Sequence, residues 1–327
     1  MMAPALVSII IPCYTTERLQ DITELLDSVE AQTYHNIETI IIAERSPAMA
    51  DGVNKYIQDR NYQRMQVLYE EGPIGVSGAR NLAIDKAKGD IIALVDDDAI
   101  LFPDWAEETV KTYDEDASVI GITGPILPLW QEESIDWFPR EFYWIFSCTI
   151  EEMTEKTEVR NGYATNLSFK QEAFKLGGLF KTSLGVKGRG QRGWQEPGAE
   201  ETEFSLRIKQ KTGKRIIYNP TVKVRHKVYK YRTTLQFIAN RAYWEGYAKA
   251  LLKRIYTSAH KEPSVLLPEH MLLRRILFRL VPRALGNLFH KPSIALRQLW
   301  LTGMVLSCVA AGYLKYDLTT FFRDRIA

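Results

Sequence analysis

Three adjacent carboxylates, Asp96-Asp97-Asp98, end a short apolar run, Ile91-Ile92-Ala93-Leu94-Val95. Side by side they repel one another. A divalent cation carrying a phosphate ligand relieves that repulsion, with Asp96 and Asp98 as the two ends of a D-x-D. The structural alternative is a solvated acidic turn, with Asp104 as a nearby helix cap. A second acidic group, Glu200-Glu201-Thr202-Glu203, opens a helical pattern ending near Gly213. Its carboxylates stand at the favourable end of the helix dipole. Capping accounts for one or two such acids more easily than for three. Two neighbouring carboxylates resist double ionisation, so one of Glu200 and Glu201 is expected to hold a raised pKa suited to general-base work. His226 follows a short β-rich stretch, where it is either structural or a further metal ligand. Arg80 and Asn81, just after Gly78, could contact phosphate or hold strand ends in place.

These side chains need elements to carry them. Leu6 to Ile11, Ile37 to Ala43, Met65 to Tyr69 and the run Ile91 to Val95 read as buried strands. Helical spacing fills the gaps: Arg18 to Gln32, Asp51 to Asp59, and Ala79 to Lys88 with Gly89 as its C-cap. The alternation predicts an α/β fold, Rossmann-like, with a mostly parallel sheet and helices on both faces. Ligands of such sheets sit beyond the strands' carboxyl ends. Pro12, Tyr14, Glu44 and Asp96 to Asp98 all fall there, which favours the metal reading of the triplet. A cation there would neutralise a pyrophosphate leaving group, so Mg²⁺ or Mn²⁺ is the expected cofactor.

After Val119 to Thr123 the regular alternation stops. Residues 137–146 are unusually aromatic and read as half-buried packing or as a lipid- or sugar-contacting platform. Tyr163 to Phe169 reads as a strand, and Val222 to Arg225 as another, followed by His226. Between them Gly188, Gly190 and Gly193 form a literal G-x-G-x-x-G. No strand precedes it and basic residues surround it, so it reads as a mobile basic loop rather than a dinucleotide site. Thr233 to Tyr256 reads as a long helix.

Charge is unevenly spread. Residues 1–204 carry 18 Lys/Arg and 35 Asp/Glu; residues 205–327 carry 24 and 5. The second half is therefore expected to face something anionic: a membrane surface, nucleic acid or phosphates. From Met271 to Arg297 there are six basic residues and no acid, interleaved with Leu272, Ile276, Leu280 and Leu285. That pattern suits an anionic bilayer surface. Gln298 to Leu314 is then uncharged for 17 residues, slightly short of the roughly 20 a full span needs. A C-terminal helical, membrane-associated segment is expected. Cys13, Cys148 and Cys308 are few and lack metal-ligand spacing, which fits a reducing compartment. Leu6 to Ile11 is too short for a signal peptide. The expected location is the cytoplasmic face of the cell membrane.

The spaced motifs together carry a resemblance. Ile11-Pro12-x-Tyr14, Gly75-x-x-Gly78-Ala79-Arg80-Asn81, Gly89-Asp90 with Asp96-Asp97-Asp98, and Glu200-Glu201-Thr202-Glu203 with Arg207 resemble the family 2 glycosyltransferases of the GT-A fold. The likeness spans roughly residues 6–210. It implies an inverting transfer of a sugar from a nucleotide-diphosphate donor. It also implies that Pro12, Tyr14, Glu44, Arg80, Asn81, Asp96 and Asp97 lie around the nucleotide sugar. The metal would rest on Asp96, Asp98 and His226, and the base would be Glu201 with Glu200 beside it. Glu44 stands where many members carry Asp, and Glu200-Glu201 replaces the usual Glu-Asp. The Q-x-x-R-W motif of processive synthases is missing, so single additions are expected.

A narrower likeness lies in Trp137-Phe138-Pro139 with Glu141-Phe142-Tyr143-Trp144, in Asn166-x-Ser168-Phe169 and in Arg241 with Glu245-Gly246-x-x-Lys249-Ala250. These are similar to archaeal glucosyl-dolichyl-phosphate glucuronosyltransferases. The likeness implies a lipid-linked sugar acceptor on dolichyl or polyprenyl phosphate and makes UDP-glucuronate a candidate donor. The expected organisation is a catalytic domain over residues 1–257, its nucleotide-sugar half 1–124 and acceptor half 125–257. Basic, amphipathic to hydrophobic helices follow over 258–327. Two other readings stand beside this one. A sugar-nucleotide pyrophosphorylase would share the sheet, but Pro12-Cys13-Tyr14-Thr15-Thr16 replaces the glycine-rich loop expected there. A non-enzymatic membrane or nucleic-acid binding module would use the basic half but leaves the ordered acids unexplained. No nucleic-acid partner is expected.

Overall fold

A computed structural model describes residues 4–131, 135–150, 153–185, 198–260 and 265–326. The first half alternates as its apolar runs dictate: β1 (Val7–Cys13), α1 (Leu19–Glu30), β2 (Ile37–Glu44), α2 (Pro47–Asp59), β3 (Met65–Glu70), α3 (Gly75–Lys86) and β4 (Ile91–Leu94). The strands β3, β2, β1 and β4 lie side by side, all parallel. The chain continues through β5 (Ala99–Leu101), α4 (Trp105–Glu115), β6 (Val119–Thr123), β7 (Ile126–Trp130), β8 (Thr157–Val159), β9 (Leu167–Lys170) and α5 (Gln171–Gly177). Then come α6 (Glu200–Thr212), β10 (Arg215–Tyr218) and β11 (Val224–Val228). Eight strands form the main sheet in the order β3-β2-β1-β4-β9-β6-β10-β8, and β5-β11-β7 form a small second sheet.

Strand β9 runs antiparallel to both its neighbours, β4 and β6, and β8 runs antiparallel to β10. The sheet is therefore mixed, though mostly parallel. One of its faces buries Ile10, Ile40, Ile42, Leu94, Leu167 and Phe169 against α3, α5 and α6. Strand alternation turns Ser168 to the other face. There its hydroxyl meets Tyr113 of α4 at 3.1 Å, so helices cover both faces.

Several local expectations change. Helix α3 begins at Gly75, not Ala79; Gly75 enters it at a left-handed φ of 69°, which a glycine tolerates. Its C-cap is Ala87 rather than Gly89. Gly89 instead packs against β1, where its N–H donates to Ser8 Oγ at 2.8 Å and a Cβ would fall 2.5 Å from that oxygen. Asp104 occupies the N-cap position of α4 but makes no side-chain cap bond. Tyr163 to Phe169 is not one strand: a 3₁₀ turn, Ala164–Asn166, precedes β9. His226 lies inside β11 rather than after a strand. The basic loop from residue 186 to 193 lies outside the described residues.

The chain forms two compact units. The first carries the main sheet and its helices; the second carries Trp130–Phe146 and the helices beyond Val228. In the second unit stand α7 (Leu235–His260), α8 (Leu267–Arg275), α9 (Val281–Gly286) and α10 (Pro292–Ile326). A π turn, Ile276–Leu280, joins α8 to α9, where Pro282 has no N–H to continue the regular ladder. In the aromatic stretch Phe138, Phe142, Ile145 and Phe146 are buried, which fits packing. Glu141, also buried, is held by Arg283 at 3.2 Å. Residues 292–320 of α10 are long and apolar enough to cross or attach to a membrane.

Candidate active site

The turn after β4 brings the acidic triplet to the carboxyl end of the sheet. Its exit strand β5 pairs antiparallel with β11, with His226 opposite Ala99. The Lys227 N–H donates to the Asp98 carbonyl at 3.0 Å, which sets His226 beside Asp98. Lys227 also pins β11 to α1, its Nζ reaching Asp21 at 2.8 Å and Glu24 at 2.6 Å.

Asp98 and His226 are each 2% exposed. His226 Nε2 lies 3.0 Å from Asp98 Oδ1, and Arg18 Nη1 lies 3.0 Å from Asp98 Oδ2. Behind the ring, Cys148 Sγ lies 3.8 Å from His226 Nδ1. Asp96 is more open. Its Oδ2 accepts from Thr165 Oγ1 at 2.5 Å, and its Oδ1 accepts from Arg80 Nη2 at 3.2 Å. One donor atom from each of Asp96, Asp98 and His226 lies within 4.8 Å of the others. Two carboxylates and an imidazole at that spacing suit a hard or borderline divalent cation such as Mg²⁺ or Mn²⁺. The donor set fits the expected metal.

Arg80 joins this group to the second acidic motif. Its guanidinium is buried, with Nη1 3.0 Å from Glu200 Oε1 and 3.5 Å from Glu201 Oε1. Burial alone would lower its pKa, but the charges of Glu201, Asp96 and Glu200 outweigh that and raise it. Its Nε has no hydrogen-bond partner among the described residues. With both terminal nitrogens on carboxylates, Arg80 acts in this structure as a bridge between the two acidic motifs.

Glu200 is buried, whereas the Glu201 side chain stays 18% exposed. Burial first, and the neighbouring Glu200 charge second, push the Glu201 pKa up to about 7; Arg80 pulls against them. Glu203 behaves differently. Burial would raise it, but hydrogen bonds from Arg207 and Lys181 hold it below the usual carboxylate value. Lys181 Nζ approaches it to 2.7 Å and Arg207 Nη2 to 2.9 Å. The third acid of the motif is thus a structural clasp.

Packing fixes the start of α6. Phe204 stacks on Phe174 at 4.8 Å and meets Phe169 edge-on at 4.9 Å. Asn81 ties down the loop after α5: its amide donates to the Phe180 carbonyl and its oxygen accepts from the Phe180 N–H, both at 2.9 Å. Ser77 donates to the Leu184 carbonyl at 2.8 Å. Gly185 follows at φ 94°, where a Cβ would lie 2.6 Å from Ser77 Oγ and 3.3 Å from Glu200 Cδ.

The remaining expected residues line the same sheet edge. Pro12 stands one residue before the end of β1, beside Ile42, and Tyr14 just beyond the strand is 39% exposed. Glu44 ends β2, nearly buried, with Arg45 Nε 3.2 Å away. Burial raises its pKa, although an N–H from Gly75 and the Arg45 charge oppose the rise. Asp97 lies close enough to Cys13 for its charge, after burial, to push that thiol up.

Three contributors were not expected: Arg18, Thr165 and Cys148. Arg18 reads locally as the start of a helix. Thr165 sits within what looks like a strand. Only contacts over 60 residues or more reveal their roles, and no local pattern carries those.

Residues 8–177 match the family described as Glycosyl transferase family 2. A glucosyl-dolichyl phosphate glucuronosyltransferase of Haloferax volcanii is 32% identical over 316 residues, covering 96% of each chain. The succinoglycan biosynthesis protein ExoM of Rhizobium meliloti is 30% identical over 189 residues, 55% of this chain and 54% of that one. Among solved structures, a mannosyltransferase from Pyrobaculum calidifontis, in complex with GDP-mannose and Mn²⁺, superposes with a TM-score of 0.62. That match has 19% identity and covers 96% of this chain and 87% of the other, a likeness of fold.

Proposed function

The chain belongs to glycosyl transferase family 2, and on that premise we propose that it transfers one sugar, with inversion, to a sugar already carried on a polyprenyl phosphate. UDP-glucuronate is the leading donor, by analogy with the Haloferax relative. Family membership displaces the pyrophosphorylase and binding-module readings. The observation that supports this mechanism is the chain Asp98–His226, Asp96–Arg80, Arg80–Glu201, which links a group able to hold a cation to a carboxyl whose pKa is raised to about 7.

Asp96, Asp98 and His226 would hold Mg²⁺ or Mn²⁺, which would supply positive charge to the donor diphosphate as it leaves. Glu201 takes the proton from the acceptor hydroxyl while that oxygen attacks the anomeric carbon, and the nucleoside diphosphate leaves from the opposite face. Burial first, and the Glu200 charge second, keep the Glu201 pKa high, and Arg80 stops both carboxylates from swinging out of place. Pro12, Tyr14, Glu44 and Asp97 border the nucleotide, and Asn81 acts through the loop it holds. The basic C-terminal helices keep the protein at a membrane surface, at the cytoplasmic face, where a phosphorylated lipid acceptor resides.

The test is a screen of UDP-, GDP- and dTDP-sugars against polyprenyl-phosphate sugars with Mg²⁺ or Mn²⁺. Transfer from UDP-glucuronate to glucosyl-dolichyl phosphate is expected. Transfer only to soluble acceptors would overturn the lipid-linked assignment.

A further inference from the structure

Helix α10 has the length and composition to cross a membrane, but its neighbour within the same unit does not. The stripe Ala295, Leu301, Thr302, Val305, Tyr316 and Thr320 is buried. Helix α7 contributes to that cover at very close range. A Cβ at Gly246 would fall 1.9 Å from the Val309 carbonyl oxygen, and one at Gly312 would fall 1.8 Å from the Tyr243 carbonyl oxygen. Helix α7 therefore lies directly on the uncharged stretch from residue 298 to 314.

At that level α7 is ionic. Arg241 Nη1 lies 2.9 Å from Glu245 Oε2, Lys249 Nζ lies 2.8 Å from Glu245 Oε1, and Lys249 Nζ reaches Glu269 of α8 at 3.0 Å. A crossing by α10 would carry this ladder, and α8 with it, into hydrocarbon, where ionisable groups are expensive.

The other side of α10 is apolar and open. Leu296, Trp300, Leu314 and Leu318 are each more than half exposed and recur on one helical face. The same unit exposes Met271 at 63%, Phe278 at 75% and Phe289 at 90%. Large apolar side chains held out in this way mark an interaction surface. Arg274, Arg279, Lys291 and Arg297 interleave with them, and no acid occurs between Met271 and Arg297. Apolar insertion ringed by cations complements the headgroup region of an anionic leaflet.

We propose that the C-terminal unit docks in the plane of a single anionic leaflet, with α10 lying along the surface rather than crossing it. This deepens the membrane reading given above and rests on it. Leu296, Trp300, Phe278 and Phe289 enter the acyl boundary; Arg279, Lys291 and Arg297 stay among the phosphates. Both ends of the chain then remain on one side.

The full chain, with a cleavable tag at each end, is added to sealed, preformed vesicles of phosphatidylglycerol and phosphatidylcholine. It is expected to float with the vesicles while both tags stay open to externally added protease. Protection of the C-terminal tag overturns the inference. Phe278→Ser with Trp300→Ser should weaken vesicle partition by at least about tenfold. Arg279→Gln with Lys291→Gln should weaken binding to anionic vesicles by on the order of twentyfold and leave neutral vesicles unaffected. Equal binding of the parent chain to neutral and anionic vesicles overturns the choice of lipid. Donor turnover in detergent reads the transferase separately, so a protected tag with intact turnover removes this inference alone.

Discussion

Nε2 of His226 lies 3.0 Å from Oδ1 of Asp98, and both side chains are buried. The pair joins two distant parts of the chain at the end of β4. Arg18 holds the other Asp98 oxygen at 3.0 Å, so this carboxylate is at once a candidate ligand and a structural anion.

That dual role separates two substitutions. Asp98→Asn keeps the shape and should abolish metal-dependent donor turnover, a loss of at least about a hundredfold, with modest change in melting temperature. Asp98→Ala also removes the oxygens that meet Arg18 and His226, leaving Arg18 to lean on Asp21 at 3.5 Å, and should cost about 1–3 kcal/mol of stability. Donor hydrolysis with Mn²⁺ and thermal melting on both variants check this. A fully active Asp98→Asn enzyme would remove Asp98 from the metal set.

Arg80 serves three carboxylates with one planar fork. Arg80→Lys retains the charge but cannot bridge Asp96 to Glu200 and Glu201, so kcat should fall by on the order of tenfold or more. Arg80→Met removes the guanidinium that Asp96, Glu200 and Glu201 share and should destabilise the fold by about 3–5 kcal/mol. Kinetics and denaturant titration distinguish these effects from a simple phosphate contact, whose loss would raise donor KM instead.

Glu201 predicts a pH profile. As the proposed base it would act in its ionised form, so the rate should rise as pH passes through about 7. The sign for stability is opposite. Its folded pKa lies above the ordinary 4.5, so its contribution is fully present below about 4.5 and fades as pH climbs towards 7. Glu201→Gln should flatten the ascending limb and cut transfer by about 10²–10⁴-fold, with donor binding intact. Normal transfer by that variant would exclude Glu201 as the base.

Phe204 packs behind the start of α6, which carries the proposed base Glu201. Phe204→Ala should cost about 3–5 kcal/mol and loosen the first turn of α6. The expected kinetic mark is a lower kcat with donor affinity nearly unchanged, read by product formation and donor titration.

The parallel half of the sheet was legible because each strand is a short apolar run and each helix keeps its own periodicity. The acidic motifs were legible because their charges cluster in sequence. Strand direction was not: Leu167 and Phe169 look alike whether β9 runs up or down the sheet. The β11 boundary was misread because Arg225 and Lys227 alternate with His226 and look like the end of a strand. Arg18 and Thr165 gave no local signal, since each matters only through a partner far along the chain. The first helical turn at Gly75 was hidden because two glycines in four residues read as a loop, and composition does not show that Gly75 alone takes the positive φ.

Strand β9 slots between β4 and β6, so Leu94, paired with Ile10 on one side, finds its neighbour on the other side only at Leu167. A nascent chain that ends short of that residue has an open seam down the middle of its sheet and an Asp96 without Thr165. Closing so long an excursion is entropically slow, and an unpaired inner edge invites association with other chains. Truncated fragments carrying the first motifs should therefore aggregate rather than bind nucleotide sugar, and assembly of the catalytic centre is a late event in the birth of the molecule.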